Sequence, residues 1–419
     1  MKECGVNMGP RAIMVLDMSF TLPMFRERQL YQALESRKLG GYFGYVISVH
    51  PLAGLFETAG KRFGAPSITR LDEGHLFVEG TIGISRLLAW FPPLNLLFAQ
   101  GRLVILLYRL ARDSKVAVVR VGDPYYLGIL GWLLARLLGV PLVIRACFDY
   151  DLLYATSGKP VFPKLFRFRA IEKCIERFIF ARCDMVAGAN QNNLDYAVAN
   201  GAARDRGVVF RYGNLIHPVH FSDPGARADV TRSRRELGLN GDFLMTVCRL
   251  EKMKQPEENL YVLRELRESG QKVAFLFVGD GSMRRELEEL AEKMGVLEYV
   301  RFAGNRSQEW IADMLPHARL VLSPHMGRAL TEACLAAAPI VAYDYDWQGE
   351  IIRSGETGEL VQNGNWRQMA EKALWLLENP DEAARLGRAA RRLALEMMNP
   401  ETLNRHEIEA YENLLQGWA

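Results

Sequence analysis

The stretch from Leu320 to Glu350 holds the densest set of groups able to do chemistry. An apolar strand, Leu320 to Leu322, runs into the turn Ser323-Pro324-His325-Met326-Gly327. A helix is expected from about Ala329 to Ala337, with Glu332 near its start. Pro339 ends it, and a second apolar strand runs from Ile340 to Tyr343. The first peptide N–H groups of a helix have no partner within it, so this turn suits an anion such as a phosphate. Arg328 and the N–H groups of Ala329, Leu330 and Thr331 lie there, and Gly327 lets the backbone approach closely. Glu332 can accept hydrogen bonds from hydroxyl groups; a carboxylate in a first helical turn is also favoured by the helix dipole alone. His325 is either a second contact to the same ligand or a structural histidine. A cation pair, Arg249 and Lys254, leaves another strand end at a spacing of five. An Arg fork chelates phosphate oxygens and a Lys adds a compact charge. Taken alone, the pair reads more readily as two surface cations.

Alternation of strands and helices positions these groups. Ala12–Asp17, a helix from Phe25 to Leu39 ended by Gly40-Gly41, and Tyr42–Val49 give a β-α-β order, which argues for a parallel sheet. Strands Val116–Val121, Leu142–Ala146, Met185–Ala187 and Val208–Tyr212 continue it. Residues 1–214 therefore read as one doubly wound α/β domain, 215–240 as a linker and 241–400 as a second Rossmann-like domain. A final helix, 401–419, is a candidate to pack back on the first domain. Two such α/β domains facing across a cleft are the simplest architecture for 419 residues. Open α/β sheets place ligands at the carboxyl ends of their strands. In the first domain that rule points to Asp123, Arg145, Asp149 and Asp151.

Residues 85–112 are unusually apolar. Pro92-Pro93 is expected to split them, and Gln100, Gly101 and Arg102 to interrupt the second half, so the segment fails as a membrane span. It reads either as a helix packed on the sheet or as a surface that dips into a membrane, with Arg102, Arg109 and Arg112 meeting headgroups. The net charge of +3 hides an asymmetry: residues 1–215 hold 27 Lys and Arg against 17 Asp and Glu. A basic half fits an anionic surface or acceptor. Six cysteines without a CxxC pair suggest reduced thiols of a cytoplasmic protein, and the N-terminus carries no signal-peptide pattern.

The second domain resembles family-4 glycosyltransferases of the GT-B fold. Arg249-Leu250-x-x-x-Lys254 is similar to the family's G-R-L-x-x-x-K, and Val278-Gly279-Asp280-Gly281 to its V-G-x-G turn. Phe302-Ala303-Gly304 is similar to its F-x-G. Gly327-x-x-x-x-Glu332-Ala333 through Pro339-Ile340-Val341 is close to its G-x-x-x-x-E-A-x-A-x-G-x-P-V. Gly355-x-x-Gly358-x-Leu360-Val361 follows in the family's order, and the likeness covers residues 240–375.

The resemblance implies a retaining transfer of a sugar from a nucleotide diphosphate, UDP- or GDP-linked, to a glycan or lipid-linked acceptor. Arg249 and Lys254 then stabilise the leaving diphosphate. Glu332, Gly279, Gly281, Gly304, Asn305, His325, Gly327, Arg328 and the N–H groups of Ala329, Leu330 and Thr331 form the donor site. Asp149 or Asp151 serves as a base, while Asp123 and Arg145 lie on the acceptor side. No metal or other cofactor is implied: Asp149-Tyr150-Asp151 and Asp344-Tyr345-Asp346 are D-x-D pairs by letter only, in the wrong architecture. Nucleic acid is not expected as a partner; peripheral contact with an anionic membrane, on the inner face of the cytoplasmic membrane, is. Two departures stand out. The acidic residue that the family usually carries eight positions before the glutamate is Pro324 here, and no histidine follows Leu142–Ala146. They support an alternative, a GT-B-shaped sugar-nucleotide-binding subunit without catalysis. A dinucleotide-dependent oxidoreductase is disfavoured, because Gly279-Asp280-Gly281 continues as Ser282-Met283-Arg284 with no third glycine.

Overall fold

The computed structural model describes residues 11–27, 30–56, 62–163, 165–226 and 230–418. Cys4, the N-terminal segment read for a targeting signal, and Arg28 lie outside them. The chain forms two units: 1–211 together with 401–419, and 212–400.

In the first unit, continuous apolar runs make a sheet buried on both faces. Its strands are β1 (Arg11–Leu16), β2 (Phe43–His50), β3 (Ser67–Asp72), β4 (His75–Glu79), β5 (Val116–Val121), β6 (Leu142–Ala146), β7 (Met185–Gly188) and β8 (Gly207–Val209). The order is β3-β4-β2-β1-β5-β6-β7-β8, and only β3 runs antiparallel to its neighbour. The single helix expected from Phe25 to Leu39 is instead two short helices, Leu22–Glu27 and Tyr31–Glu35, and a 3-10 turn. Gly40 and Gly41 take the left-handed backbone that ends it (φ 62° and 94°). The helix Pro92–Asp113 is unbroken over 22 residues, against the expected interruption. Prolines are tolerated in a first helical turn, and Gln100 turns inward, donating to the carbonyls of Pro51 (3.2 Å) and Thr81 (3.0 Å).

The C-terminal helix Pro400–Gln416 belongs to the first unit. Tyr411 is fully buried among Ile13, Phe43, Val118 and Phe210. Glu407, also buried, pairs with Arg120 (3.2 Å) and Arg145 (3.7 Å).

The second unit has an all-parallel sheet of β9 (Phe243–Val247), β10 (Ala274–Val278), β11 (Val300–Phe302), β12 (Leu320–Ser323), β13 (Ile340–Asp344) and β14 (Glu359–Gln362). The order is β11-β10-β9-β12-β13-β14. Residues 215–240, expected as a linker, are part of this body: Ile216, Val230 and Leu239 are buried against Phe243, Met245 and Leu330. Their spacing lacks a helical or strand period because they fold as short turns, which hydrophobic periodicity does not register.

Candidate functional site

The strand order of each unit reverses once, between β1 and β5 in the first and between β9 and β12 in the second. Crevices for ligands form outside strand ends at such points.

In the second unit, the chain leaves β9 into Cys248-Arg249-Leu250 and a 3-10 turn, Lys252–Lys254. Glycines from β10 hold this exit in place. A Cβ at Gly279 would stand 2.0 Å from the Cys248 carbonyl oxygen, and one at Gly281 would stand 2.4 Å from that of Leu250. Backbone hydrogen bonds from Leu250 N to Asp280 O (3.0 Å) and from Met283 N to Leu250 O (2.9 Å) tie the two turns together. Glu251 reinforces them by accepting from Ser282 N (3.0 Å) and Ser282 Oγ (2.6 Å). Gly304 (φ 68°) accepts from Gly279 N at 2.9 Å, while Asn305 is exposed beside it. These glycines therefore position Arg249.

Arg249 is exposed, and among the described residues its guanidinium has no ion-pair partner. Lys254 lies deeper. Its Nζ stands 3.2 Å from where a Gly327 Cβ would be, at the start of the helix Arg328–Leu335. Gly327 has φ 69°, a backbone conformation that favours glycine. No carboxylate lies within 4 Å of Nζ among the described residues. Burial, with Arg249 nearby, pushes the Lys254 ammonium down to about 8 even though Asp346 favours its charge. Lys254 is thus a half-buried cation with no carboxylate within 4 Å among the described residues.

At the helix start, Leu330 N is already bonded to Gly327 O (3.1 Å). The Arg328 and Ala329 N–H groups are the ones that face outward from the first turn. Thr331 and Leu330 are buried, so they offer no side chain to a ligand. Arg328 is exposed. Glu332 is 9% exposed. Burial pushes its carboxyl up to about 7, against the pull of Arg328. Its Oε2 lies 3.8 Å from Nε2 of His220, which also meets Gln308 Oε1 at 2.9 Å.

His220 was invisible in the sequence because it falls in the stretch read as a linker. Gln348 was missed too. It is fully buried and donates to the carbonyls of Ser323 (3.1 Å), Pro324 (3.0 Å) and Tyr343 (2.9 Å), fixing the end of β12.

His325 serves as a fastening rather than as an open ligand contact. Its Nδ1 meets Met253 O at 3.1 Å and its Nε2 meets Asp346 Oδ2 at 3.3 Å. The loop carrying Lys254 is thereby joined to the turn after β12.

The first unit treats its candidates differently. Asp149 caps the helix Tyr150–Ser157, accepting from Asp151 N (3.0 Å) and Leu152 N (2.9 Å). Asp151 is bound by Arg169 (2.7 Å), Lys173 (2.8 Å) and Asn200 (3.0 Å). Although burial raises it, Lys173, Arg169 and Asn200 outweigh that and hold its carboxyl down at about 2. Both carboxylates are engaged within the first unit, Asp149 as a helix cap and Asp151 in ion pairs. Arg145 is also occupied: it pairs with Glu407, donates to Phe210 O (3.2 Å) and stacks over the Phe210 ring. An acceptor anion would have to displace these.

Asp123 does stand at the strand ends. It accepts from Tyr125 N (2.8 Å), and burial, with Asp17 nearby, pushes its carboxyl up to about 7. Beside it are Asp17, paired with Arg37 at 2.6 Å, and His50, fully buried at the end of β2. Burial pushes His50 down despite Asp17. Both residues end apolar strands, the one signal by which the sequence could have marked them.

Two parallel Rossmann-like sheets in this order define the GT-B fold of glycosyltransferases. Solved structures agree over nearly the whole chain. Anabaena HepE in complex with UDP and glucose has a TM-score of 0.68 at 17% identity, covering 96% of this chain and all of that one. Sucrose-phosphate synthase from Thermosynechococcus elongatus has a TM-score of 0.71 at 16% identity, covering 97% and 100%. Residues 229–393 match the family model "Glycosyl transferases group 1". Among curated relatives, the alpha-D-kanosaminyltransferase of Streptomyces kanamyceticus is 26% identical over 62% of this chain and 67% of its own length. The putative glycosyltransferase EpsD of Bacillus subtilis is 26% identical over 55% and 61%. A D-inositol 3-phosphate glycosyltransferase of Nocardia farcinica is 30% identical over 46% and 47%. The chain thus spans about half to two thirds of the curated relatives it matches.

Proposed function

We propose that the chain is a retaining, metal-independent family-4 glycosyltransferase. It moves a sugar from a nucleotide-diphosphate donor to a glycan or lipid-linked acceptor, peripherally at the cytoplasmic face of a membrane. The observation that carries this reading is Lys254: a half-buried ammonium with no carboxylate within 4 Å among the described residues, set against Gly327 where a helix begins. Breaking a sugar–phosphate bond places new negative charge on the diphosphate. Cations held in place for that charge stabilise the transition state more than the ground state. Lys254, Arg249 and the N–H groups of Arg328 and Ala329 supply them without a divalent ion. Glu332 accepts hydrogen bonds from hydroxyls of the donor. In this reading Asp149 and Asp151 are structural carboxylates, the departing phosphate itself takes the acceptor's proton, and Asp123 lies on the acceptor side. That HepE is seen with UDP and with UDP-glucose favours UDP over GDP as the donor nucleotide.

The test is a thermal-shift series with UDP, GDP and UDP-glucose, followed by nucleotide release from candidate donors and assignment of the product anomer. A nucleotide diphosphate should raise the melting temperature by mass action, and Lys254→Ala should remove the rise. No shift with any nucleotide sinks the reading. Binding without release from any donor would favour the non-catalytic subunit instead.

A further inference from the structure

The helix Pro92–Asp113 has its polarity reversed at its N-terminal end. The side facing the protein carries Asn95 and Gln100, both buried. Asn95 accepts from Ile84 N (2.7 Å) and donates to Ser85 O (2.9 Å), and Gln100 reaches two loop carbonyls. These bonds hold the helix down, while the side facing out is apolar. Leu87, Trp90, Phe91 and Leu97 are 87%, 88%, 66% and 66% exposed, and Leu94 and Phe98 continue the stripe. The adjacent helix Tyr126–Leu138 adds exposed Ile129, Leu133 and Leu137 at a spacing of four.

Charge decides what covers this face. No acidic residue occurs between Glu79 and Asp113, whereas Arg86, Arg102, Arg109 and Arg112 do. All four arginines are exposed, and none has an ion-pair partner among the described residues. The last two line a shallow hollow with Ile105, Tyr108 and Asp113. A stripe that is aromatic and aliphatic first and cationic further along matches a bilayer interface. There rings and alkyl chains enter the acyl boundary and arginines meet phosphates. By length and composition the helix could cross a membrane. However, Leu103, Leu107 and Ala111 are buried in the core of the first unit, so leaving it would uncover that core.

We infer that residues 86–112 form a docking element that lays the first unit on an anionic lipid surface. Trp90, Phe91, Leu94, Leu97 and Phe98 insert, and Arg102, Arg109 and Arg112 hold headgroup phosphates. This deepens the membrane contact of the proposed function and rests on it only for location; the docking itself needs no sugar transfer.

Sedimentation of the full chain with phosphatidylcholine vesicles, and with vesicles also containing phosphatidylglycerol, tests it. The wild type should pellet with the anionic vesicles and release as salt is raised. Trp90→Ser/Phe91→Ser should lower partitioning at least tenfold on the loss of two inserted rings. Arg102→Gln/Arg109→Gln/Arg112→Gln should lower it on the order of a hundredfold, and only toward the anionic vesicles. Both variants should keep the nucleotide-induced thermal shift, which separates failure of docking from failure of the donor site. The inference is overturned if the wild type stays in the supernatant with both vesicles or if the variants pellet like wild type. It is also overturned if Trp90→Ser/Phe91→Ser turns an oligomer into a monomer without any lipid effect, which would make this face a contact between copies.

Discussion

At the strand ends of β9 and β12, Arg249 and Lys254 of the second unit have no ion-pair partner within 4 Å among the described residues. At the strand ends of the first unit nearly every comparable charge has a partner. Asp17 holds Arg37, Asp151 holds Arg169 and Lys173, and Arg145 shares Glu407 with Arg120. The topology supplies the same kind of location twice. What differs is whether folding has already used the charge, and for half-buried Lys254 a bound anion would offset part of the cost of burial.

Four experiments would break or sharpen this contrast. The largest effect is expected at the unpaired cations. Lys254→Ala or Arg249→Ala should lower donor turnover by about 10²–10³-fold, the range for removing one group that stabilises a developing anion, with the fold intact by circular dichroism. Full turnover in both would end the contrast. Next, Glu407→Ala should cost about 3–5 kcal/mol of stability by leaving Arg120 and Arg145 without their buried partner. In urea unfolding its midpoint should fall, while the nucleotide-induced thermal shift of the folded protein persists.

The third concerns pH. The Lys254 ammonium is lowered to about 8 from an ordinary 10.5, so between these values the unfolded chain binds the extra proton. This group therefore adds stability as pH rises from 8 to 10.5. In the ligand-free protein, Lys254→Met should be more stable than wild type near pH 7, by no more than ~3.5 kcal/mol at ~1.4 kcal/mol per pKa unit. The gap should narrow toward pH 10. Glu332, raised to about 7, has the opposite slope: the folded chain holds the extra proton between 4.5 and 7, so its contribution falls as pH rises through that window. Glu332→Gln should flatten it. Melting curves of the three proteins against pH decide; parallel curves would show that neither group is dehydrated as described. The smallest effect is at Asp149. Replacing this helix cap by Ala should cost about 1 kcal/mol and leave turnover per folded molecule unchanged. A loss of turnover beyond tenfold would restore it as a base.

Much of the second unit was legible because its motifs are local. Arg249 to Lys254, Gly279 to Gly281 and Gly327 to Glu332 each sit on one strand end, and the sequence order fixes their turns. The first unit was legible as strands and helices but not as a site. Asp151 looks available until Arg169, Lys173 and Asn200 are brought to it, and Arg145 until Glu407 returns from 262 positions downstream. Such pairings are tertiary, so no spacing near Asp151 or Arg145 reports them. His220 was hidden because short turns have no period, and the unbroken helix after Pro92 because Gln100 reads as an interruption unless its inward partners are known.

The return of residues 401–419 to the first unit bears on the order of folding. A ribosome releases residues 212–400, a complete unit, before the helix that buries Tyr411 and pairs Glu407 has been made. Domains generally fold as units in the order of synthesis; here the first to emerge is the last to be finished. Until then Phe43 and Phe210 lack their Tyr411 neighbour, and Arg120 and Arg145 lack their carboxylate. A nascent first unit therefore waits with an open hydrophobic seam while the second unit is already formed.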